Sequence, residues 1–453
     1  MRDIAAGPRL NAHVVKSTVV GALGGLLFGF DTAVIAGTTH ALTLQYQLTP
    51  RALGLTVSIA LWGTVLGAIS SGMLGQRIGG RNALRIMALL YLVSALACAF
   101  AVNWPMLVVA RFIGGLGIGG SSVLGPVYIA EIAPASWRGR LVGMFQINIV
   151  VGILLAYLSN YAIGTAGFGA HEWRWQLGVT AVPALLFLLM LFGIPQSPRW
   201  LVTQERTEEA RRVLADIGSS DPDRELRIIS EAVHASAHRQ QERQQDALFR
   251  RCYRLPIFLA ITIGLFNQLS GINAILYYLN DIFHAAGFSK VSGDLQAVAV
   301  GAMNLIATLL AMTVIDKLGR KKLLLIGSVG TAICLAAVAN VFYSNSHQNT
   351  LVWWLVAYIA FFAMSQGAVI WVYISEVFPS QVRSKGQSLG SSSHWIMNAI
   401  VSFAFPTIAA RSGGAPFVFF AAMMVLQFFV VLFIYPETKQ ASLEQLQHQL
   451  GIQ

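Results

Sequence analysis

Twelve long apolar runs constrain the fold of this chain more than any other feature. A helix needs roughly 20 apolar residues to cross a hydrocarbon core of about 30 Å, and runs of this length recur along the whole sequence. Only 11% of the 453 residues are charged, whereas globular domains have about 25%. The sequence therefore predicts an all-α membrane protein with spans near 15–37, 52–75, 83–102, 107–130, 140–163, 175–194, 255–283, 295–315, 322–343, 351–375, 386–409 and 415–435.

Six runs precede a central polar stretch and six follow it, and the two groups carry matching motifs. Three pairs recur in order at a nearly constant offset: 131–138 with 376–383, 77–81 with 317–321, and Pro195 with Pro436. Both members of the first pair spell Glu-x-x-Pro-x-x-x-Arg. One match could arise by chance, but three in order indicate a duplicated membrane unit, and such units belong mainly to transporters.

Positive charge is distributed unevenly over the predicted loops. Of the 31 Lys and Arg residues, those in the predicted outer segments are Arg51, Arg174, Lys290 and Arg411. Nearly all the others lie on the opposite side, so the positive-inside rule predicts that both termini are cytoplasmic. Topology thus explains the net charge of +11, and we expect no nucleic-acid partner.

The polar stretch divides the chain into predicted units. They are an N-terminal six-helix bundle, a cytoplasmic helical linker, a C-terminal six-helix bundle and a cytoplasmic tail, over 1–195, 196–254, 255–440 and 441–453. Thr207 fits the N-cap of an amphipathic linker helix, and apolar stripes predict that the linker packs against the bundles. Cys98, Cys252 and Cys334 form no plausible disulfide framework or metal site.

Asp31 lies inside the first apolar run. A carboxylate at that depth costs several kcal/mol unless it is protonated, paired or wetted, so it is a functional candidate. Arg111, near the outer start of the fourth run, is its natural partner. An Asp that alternates between this partner and a proton could couple proton flow to a conformational cycle. The alternative is a static structural ion pair.

The seventh run carries three carboxamides within seven residues: Asn267, Gln268 and Asn273. They can lie stably in an apolar span only if they face a polar cavity or one another. Carboxamides both donate and accept hydrogen bonds, which suits a neutral polyhydroxylated ligand. Gly271 loosens the helix between them. Further polar donors are Gln146 and Asn304, and aromatic rings suited to stacking on a sugar are Tyr277, Trp371 and Trp395.

Five motifs resemble the sugar porter family of the major facilitator superfamily. They are 267–273 followed by Tyr277-Tyr278, 195–201, 172–175, 316–321 and 436–439. The resemblance covers nearly the whole chain. It implies two pseudo-symmetric six-helix bundles, cytoplasmic helices between them, a central sugar site and alternating access.

The resemblance also assigns roles to individual residues. It implies that Gln146, Gln268, Asn273, Asn304 and Trp371 contact sugar, with Phe28 and Tyr277 nearby. Asp31 matches an acid that proton symporters of the family carry in the first helix, and Arg111 matches its partner. Uniporters commonly lack that acid, so symport is favoured. Charged residues of the paired motifs at the predicted cytoplasmic ends make up the candidate inner gate: Arg77, Arg81, Glu131, Arg138, Asp316, Arg320, Glu376 and Arg383.

Several positions depart from the family pattern. Gln76 and Gln196 stand where the family usually has acids, which predicts weaker cytoplasmic ion pairs and a less stable outward-open state. Near the sugar site, Asn267 is one methylene shorter than the usual glutamine, and Ile153 is apolar where a xylose-transporting relative has glutamine. The remaining departures, which we include as candidate sugar contacts with Trp395, are Gln366 and His394.

Proton-coupled import of a hexose or pentose across a bacterial plasma membrane is the favoured interpretation. The partners would be a small neutral sugar, a proton and the lipid bilayer, with the protein a monomer. A facilitative uniporter is the main alternative. A sugar sensor is disfavoured by the short segment after Lys439, and an anion exporter by the neutral carboxamides. No nucleotide loop, metal-ligand cluster or placed nucleophile points to an enzyme or a cofactor.

Overall fold

The computed structural model describes residues 11–134, 136–219, 221–242, 248–379 and 382–439. The first half contains α1 (Ala12–Val34), α2 (Thr39–Tyr46), α3 (Pro50–Ile78), α4 (Gly80–Ala99), α5 (Trp104–Ile132), α6 (Arg138–Ala166), α7 (Glu172–Gly178) and α8 (Ala181–Met190). The linker contains α9 (Pro198–Thr203), α10 (Thr207–Asp216) and α11 (Pro222–Glu242). The predicted tail, 441–453, lies outside the described residues.

The second half repeats the pattern of the first. Its helices are α12 (Arg254–Leu269), α13 (Ile272–Tyr277), α14 (Leu279–Ala285), α15 (Lys290–Leu318), α16 (Arg320–Ser344), α17 (Leu351–Phe362), α18 (Ala368–Glu376), α19 (Arg383–Ala409) and α20 (Ala415–Ile434). Three pairs of helices, α7 with α8, α12 with α13, and α17 with α18, each act as one span, so each half has six.

Eleven helical segments in the described ranges are long and apolar enough to cross a membrane. The twelfth predicted span, 386–409, is α19, a helix of 27 residues whose polar run at 391–394 lowers its mean hydropathy. The predicted all-α fold with twelve spans is therefore confirmed. Side-chain caps fix the start of several spans: Thr49 accepts from the Ala52 amide before α3, and Asn103 accepts from the Met106 amide before α5.

The internal repeat is visible in the hydrogen bonds of the two halves. Tyr128 donates its hydroxyl to the Pro195 carbonyl at 2.8 Å, and Tyr373 donates to the Pro436 carbonyl at 3.1 Å. Each bond ties the fourth span of its half to the end of the sixth. The duplicated sequence motifs thus correspond to duplicated contacts.

The turn between the second and third spans is also repeated. Gly79 and Gly319 have φ values of +83° and +90°, a left-handed region that favours glycine. The amide of Arg81 donates to the side-chain oxygen of Gln196 at 3.0 Å. In the second half, Glu437 accepts from the first two backbone amides of α16, at 2.9 and 3.1 Å. Gln196 therefore caps a helix within its own half, as Glu437 does.

The linker helices pack on the first half. Leu201, Ala210 and Val213 are buried in a small apolar cluster of α9 and α10. Trp200 donates its indole N–H to the Gln76 carbonyl at 2.9 Å, and Asn11 donates to the Asp216 carbonyl at 2.8 Å. Among the predicted apolar positions of the linker, Val213 and Leu214 are buried. Packing of the linker against both bundles remains a prediction.

The two halves meet along α3 with α19 and along α6 with α15. Near the start of α3, a Cβ on Gly54 would lie 2.2 Å from the Phe403 carbonyl oxygen, so only glycine permits this approach. The Tyr157 hydroxyl donates to the Leu276 carbonyl at 2.8 Å across the same boundary. The bundles are therefore in close contact at the ends that the sequence predicts to face outward.

Candidate functional site

Asp31 and Arg111 form an ion pair inside the first half. An Arg111 Nη lies 3.5 Å from Asp31 Oδ2, and the side chains are 4% (Arg111) and 17% (Asp31) exposed. Asp31 lies near the end of α1 and Arg111 in the first part of α5. Arg111 Nε is buried without a hydrogen-bond partner. The pairing predicted from the sequence is therefore present, and one N–H donor of Arg111 makes no hydrogen bond within it.

Two small cavities adjoin the Asp31–Arg111 pair. The first is lined by Tyr91, Ser94, Ala95, Cys98, Leu177 and Thr180 together with the pair. The second is lined by Phe28, Thr32, Val57, Ala60, Leu61, Thr64, Ile118 and Tyr277 together with the pair. Tyr277 belongs to the second half and all the others to the first. The second cavity thus connects the ionisable pair with two residues of the predicted sugar set.

The seventh span breaks where the carboxamides are placed. α12 ends at Leu269 and α13 begins at Ile272, and Gly271 between them has φ +86°. A Cβ on Gly271 would lie 2.3 Å from Phe420 Cδ2, so both conformation and space require glycine. The break turns successive side chains toward one another. It confirms the predicted loosening of this helix.

Gln268 is the centre of the carboxamide network. Its Nε2 donates to Asn267 Oδ1 at 3.0 Å, and its Oε1 accepts from Asn273 Nδ2 at 3.0 Å. The same Nε2 lies 3.2 Å from His394 Nε2 on α19. A chain of bonded amides can exchange these bonds for bonds to hydroxyl groups of a ligand.

Aromatic rings extend this network toward the first half. His394 lies between Trp371 and Trp395, with ring centroids 5.1 and 5.0 Å away. Trp395 in turn lies 5.5 Å from Phe28, which belongs to α1. Trp371 is 39% exposed, whereas His394 is buried. Four of the predicted sugar residues therefore form one chain of rings across the boundary between the halves.

Three predicted sugar contacts have no side-chain bond to this network among the described hydrogen bonds. Gln366 donates its amide to Met424 Sδ at 3.0 Å, and only its backbone carbonyl faces Asn267. It lies in a π-helical turn, 363–367, which shifts the register of its span. Asn304 is buried on α15, and Gln146 is partly buried on α6. Their roles remain predictions.

Most of the described ion pairs and hydrogen bonds of the candidate inner gate lie in the second half. Arg320 pairs with Asp316 at 3.1 Å and with Glu376 at 3.0 Å, and Glu376 also accepts from Thr438 at 2.5 Å. Arg383 donates its Nε to the Phe378 carbonyl at 3.2 Å. These contacts all lie within one half.

The gate residues of the first half have different surroundings. Arg81 donates a side-chain N–H to the Ile194 carbonyl at 3.2 Å. Glu131 lies near Ser197 and Arg199 at the start of the linker. Arg77 and Arg138 are exposed. Their assignment to a gate remains a prediction.

Comparison with known proteins decides the family. A family model described as "Sugar (and other) transporter" matches residues 17–450. The chain belongs to the sugar porter family of the major facilitator superfamily. The arabinose-proton symporter of Bacillus subtilis is 36% identical over 441 residues, covering 96% of this chain and 94% of the relative. The galactose-proton symporter of Escherichia coli is 35% identical over 437 residues, covering 95% and 92%.

A solved structure of the family also matches the fold. The inward-open form of the xylose transporter of Escherichia coli gives a TM-score of 0.85 at 33% identity, covering 96% of this chain and 99% of that one. As a sugar porter, the chain is a multi-pass membrane transporter and not an enzyme.

Sequence reasoning missed several residues beside the ion pair. Tyr91, Ser94 and Thr180 line the first cavity, and Ser94 donates to the Ala110 carbonyl at 2.7 Å, next to Arg111. Small hydroxyl residues are common in apolar spans as helix-to-helix bonds. Nothing in the sequence distinguishes these from the others, because their position depends on how α4 and α8 pack.

Proposed function

We propose that this sugar porter imports a monosaccharide, a hexose or a pentose, together with a proton by alternating access. The cavity shared by Asp31, Arg111, Phe28 and Tyr277 is the observation that supports the proposal most strongly. Both the ionisable pair and two aromatic residues of the proposed sugar site, Phe28 and Tyr277, line this cavity. A change of charge on Asp31 can therefore be sensed at the boundary between the halves.

Asp31 is the proposed proton carrier and Arg111 its partner. When Asp31 is charged, it is held by Arg111 at 3.5 Å. When Asp31 accepts a proton, the attraction falls, and the guanidinium is free to turn toward other groups of the two cavities. Loaded carrier then rocks between its outward-facing and inward-facing forms. The direction of net transport follows from the inward proton gradient.

The proposed sugar site is built around the carboxamide network. Its proposed residues are Phe28, Gln146, Asn267, Gln268, Asn273, Tyr277, Asn304, Gln366, Trp371, His394 and Trp395. The amides would bond sugar hydroxyls and the rings would stack on the apolar face of the sugar. The relatives named as arabinose-proton and galactose-proton symporters support a pentose or a hexose equally.

The remaining features of the proposal concern topology. We infer a monomer in the bacterial plasma membrane with both termini cytoplasmic, divided at 1–195, 196–254, 255–440 and 441–453. The inner gate would close in the outward-open state through Arg77, Arg81, Glu131, Arg138, Asp316, Arg320, Glu376 and Arg383. The uneven distribution of Lys and Arg supports this orientation.

Radiolabelled uptake with competing sugars tests the substrate class. Proteoliposomes are given labelled arabinose, xylose, galactose and glucose in turn, each against an excess of the others, at two external pH values. We expect one sugar to be taken up in a saturable way, and faster at the lower external pH. Uptake that is saturable but independent of pH and of uncoupler would favour the uniporter.

A further inference from the structure

Three pairs of side chains connect the halves at the outer face, and the proposed sugar and proton sites use none of them. Lys290 at the start of α15 pairs with Glu172 at the start of α7. Asp281 on α14 lies beside Thr39. The third pair is His40 on α2 with His284 on α14. Each pair joins a residue of the first half to a residue of the second.

The two histidines are in direct contact. Their ring centroids lie 5.0 Å apart with the planes tilted by 36°, and both side chains are exposed to the outer solution. Neutral imidazoles can pack in this way, whereas two imidazolium ions at this distance repel each other. Lys290 is the other charged group that acts on His40. Further titratable groups on the neighbouring elements are Glu172, Asp281 and Asp294.

We propose that His40 and His284 form a proton-sensitive latch that holds the outer face closed when neutral and releases it when both are protonated. The latch rests on the proposed alternating access, since it acts on the equilibrium between the two forms. It is separate from the proton carried by Asp31, because the histidines lie on the outer surface. Acid on the outside would thus return the empty carrier to its outward-facing form.

The groups around His40 shift its pKa in the direction that this latch requires. Partial removal from water lowers the pKa of His40, and the positive charges of His284 and Lys290 lower it further. Opening separates the rings and restores the usual pKa of about 6.5. The closed form therefore binds protons more weakly than the open form. Its free-energy advantage over the open form is fully present above about pH 6.5 and is lost as the pH falls below that value.

The size of the effect follows from the distance between the rings. Two unit charges 5.0 Å apart shift the closed-to-open ratio roughly 4-fold even with the dielectric constant of bulk water, and more at a lower one. This is a modest bias. It suffices to change the population of a carrier whose two forms are similar in free energy.

Spin-label distances measure the latch in the full-length carrier. Val102→Cys and Asn349→Cys place labels on exposed outer loops of the two halves, and Cys252 is replaced by serine. In nanodiscs without sugar, we expect the longer outer distance to gain roughly 3-fold in relative population between pH 8 and pH 5.5, where about nine-tenths of each separated imidazole is protonated. His40→Gln should abolish the gain. His284→Gln should reduce it, because partial removal from water and the charge of Lys290 still lower the pKa of His40.

Three further variants identify the group responsible. His40→Asp should invert the response, because protonated His284 then attracts the new carboxylate and closes the outer face in acid. In the Asp31→Asn background the pH response should persist, and Glu172→Gln should retain it as well. The proposal is overturned if either single glutamine variant keeps the full response. A response lost only in Asp31→Asn would refute the latch while leaving the proposed symport intact.

Discussion

Replacing Asp31 by asparagine should uncouple transport without closing the sugar site. The substitution keeps the size of the side chain but removes the group that can take up and release a proton. We expect Asp31→Asn to lose all concentrative uptake. Exchange of labelled for unlabelled sugar across the membrane should continue, because the carboxamide network around Gln268 is unchanged.

The magnitudes can be worked out for both coupling and stability. A gradient of about one pH unit with a potential of about 100 mV supplies about 3.7 kcal/mol per proton, which is roughly 500-fold accumulation for one proton per sugar. At 3.5 Å the gross attraction between Asp31 and Arg111 is about 5 kcal/mol for an effective dielectric constant of about 20. Leaving Arg111 buried and unpaired should cost about 3–5 kcal/mol.

Proteoliposomes with an imposed gradient provide the assay. We expect wild-type carrier to accumulate sugar severalfold to several hundredfold and Asp31→Asn only to equilibrate it, with a lower melting temperature in detergent. Asp31→Asn combined with Arg111→Gln should regain melting temperature but not accumulation. Asp223→Asn, which breaks an exposed ion pair with Arg211 in the linker, is the control. Undiminished accumulation by Asp31→Asn would refute the proposed role of this residue.

Three more variants test other parts of the structure. Gly271→Ala should lower the melting temperature by more than Gly287→Ala. Both glycines have φ near +90°, but only at Gly271 would an added Cβ meet a side chain, Phe420 at 2.3 Å. Equal losses of melting temperature would contradict this crowding. Gln268→Ala should raise the KM for sugar about 10-fold with a smaller change in maximal rate, and an unchanged KM in uptake assays would remove it from the site. Gln76→Asp should increase labelling of an outer cysteine by an impermeant thiol reagent, and no increase would count against a weakened inner gate.

The sequence predicted the architecture well because its signals are local. Each span is an apolar run, and each half repeats the same turn, so Gly79 and Gly319 adopt matching conformations. The break at Gly271 was predictable for the same reason: a glycine among carboxamides in an apolar run marks an irregular helix. The Asp31–Arg111 pair could be predicted because few ionisable residues lie inside the spans.

What could not be predicted depends on distances between elements. The ring contact of His40 with His284 joins residues from separate outer segments, and neither lies in a motif. Gln366 shows a second limit: the π-helical turn at 363–367 rotates its side chain toward Met424, which a regular helical register does not anticipate. Helix irregularity and packing between the halves therefore fix the details that apolar patterning leaves open.

Sugar-driven proton movement is the most direct test of symport through Asp31. Proteoliposomes without any ion gradient, loaded with a pH-sensitive dye, receive a pulse of the transported sugar outside. Symport requires the interior to acidify in step with sugar entry in the wild type and to stay at constant pH in Asp31→Asn. Sugar entry in the wild type with no change in internal pH would contradict proton coupling and leave a facilitative carrier.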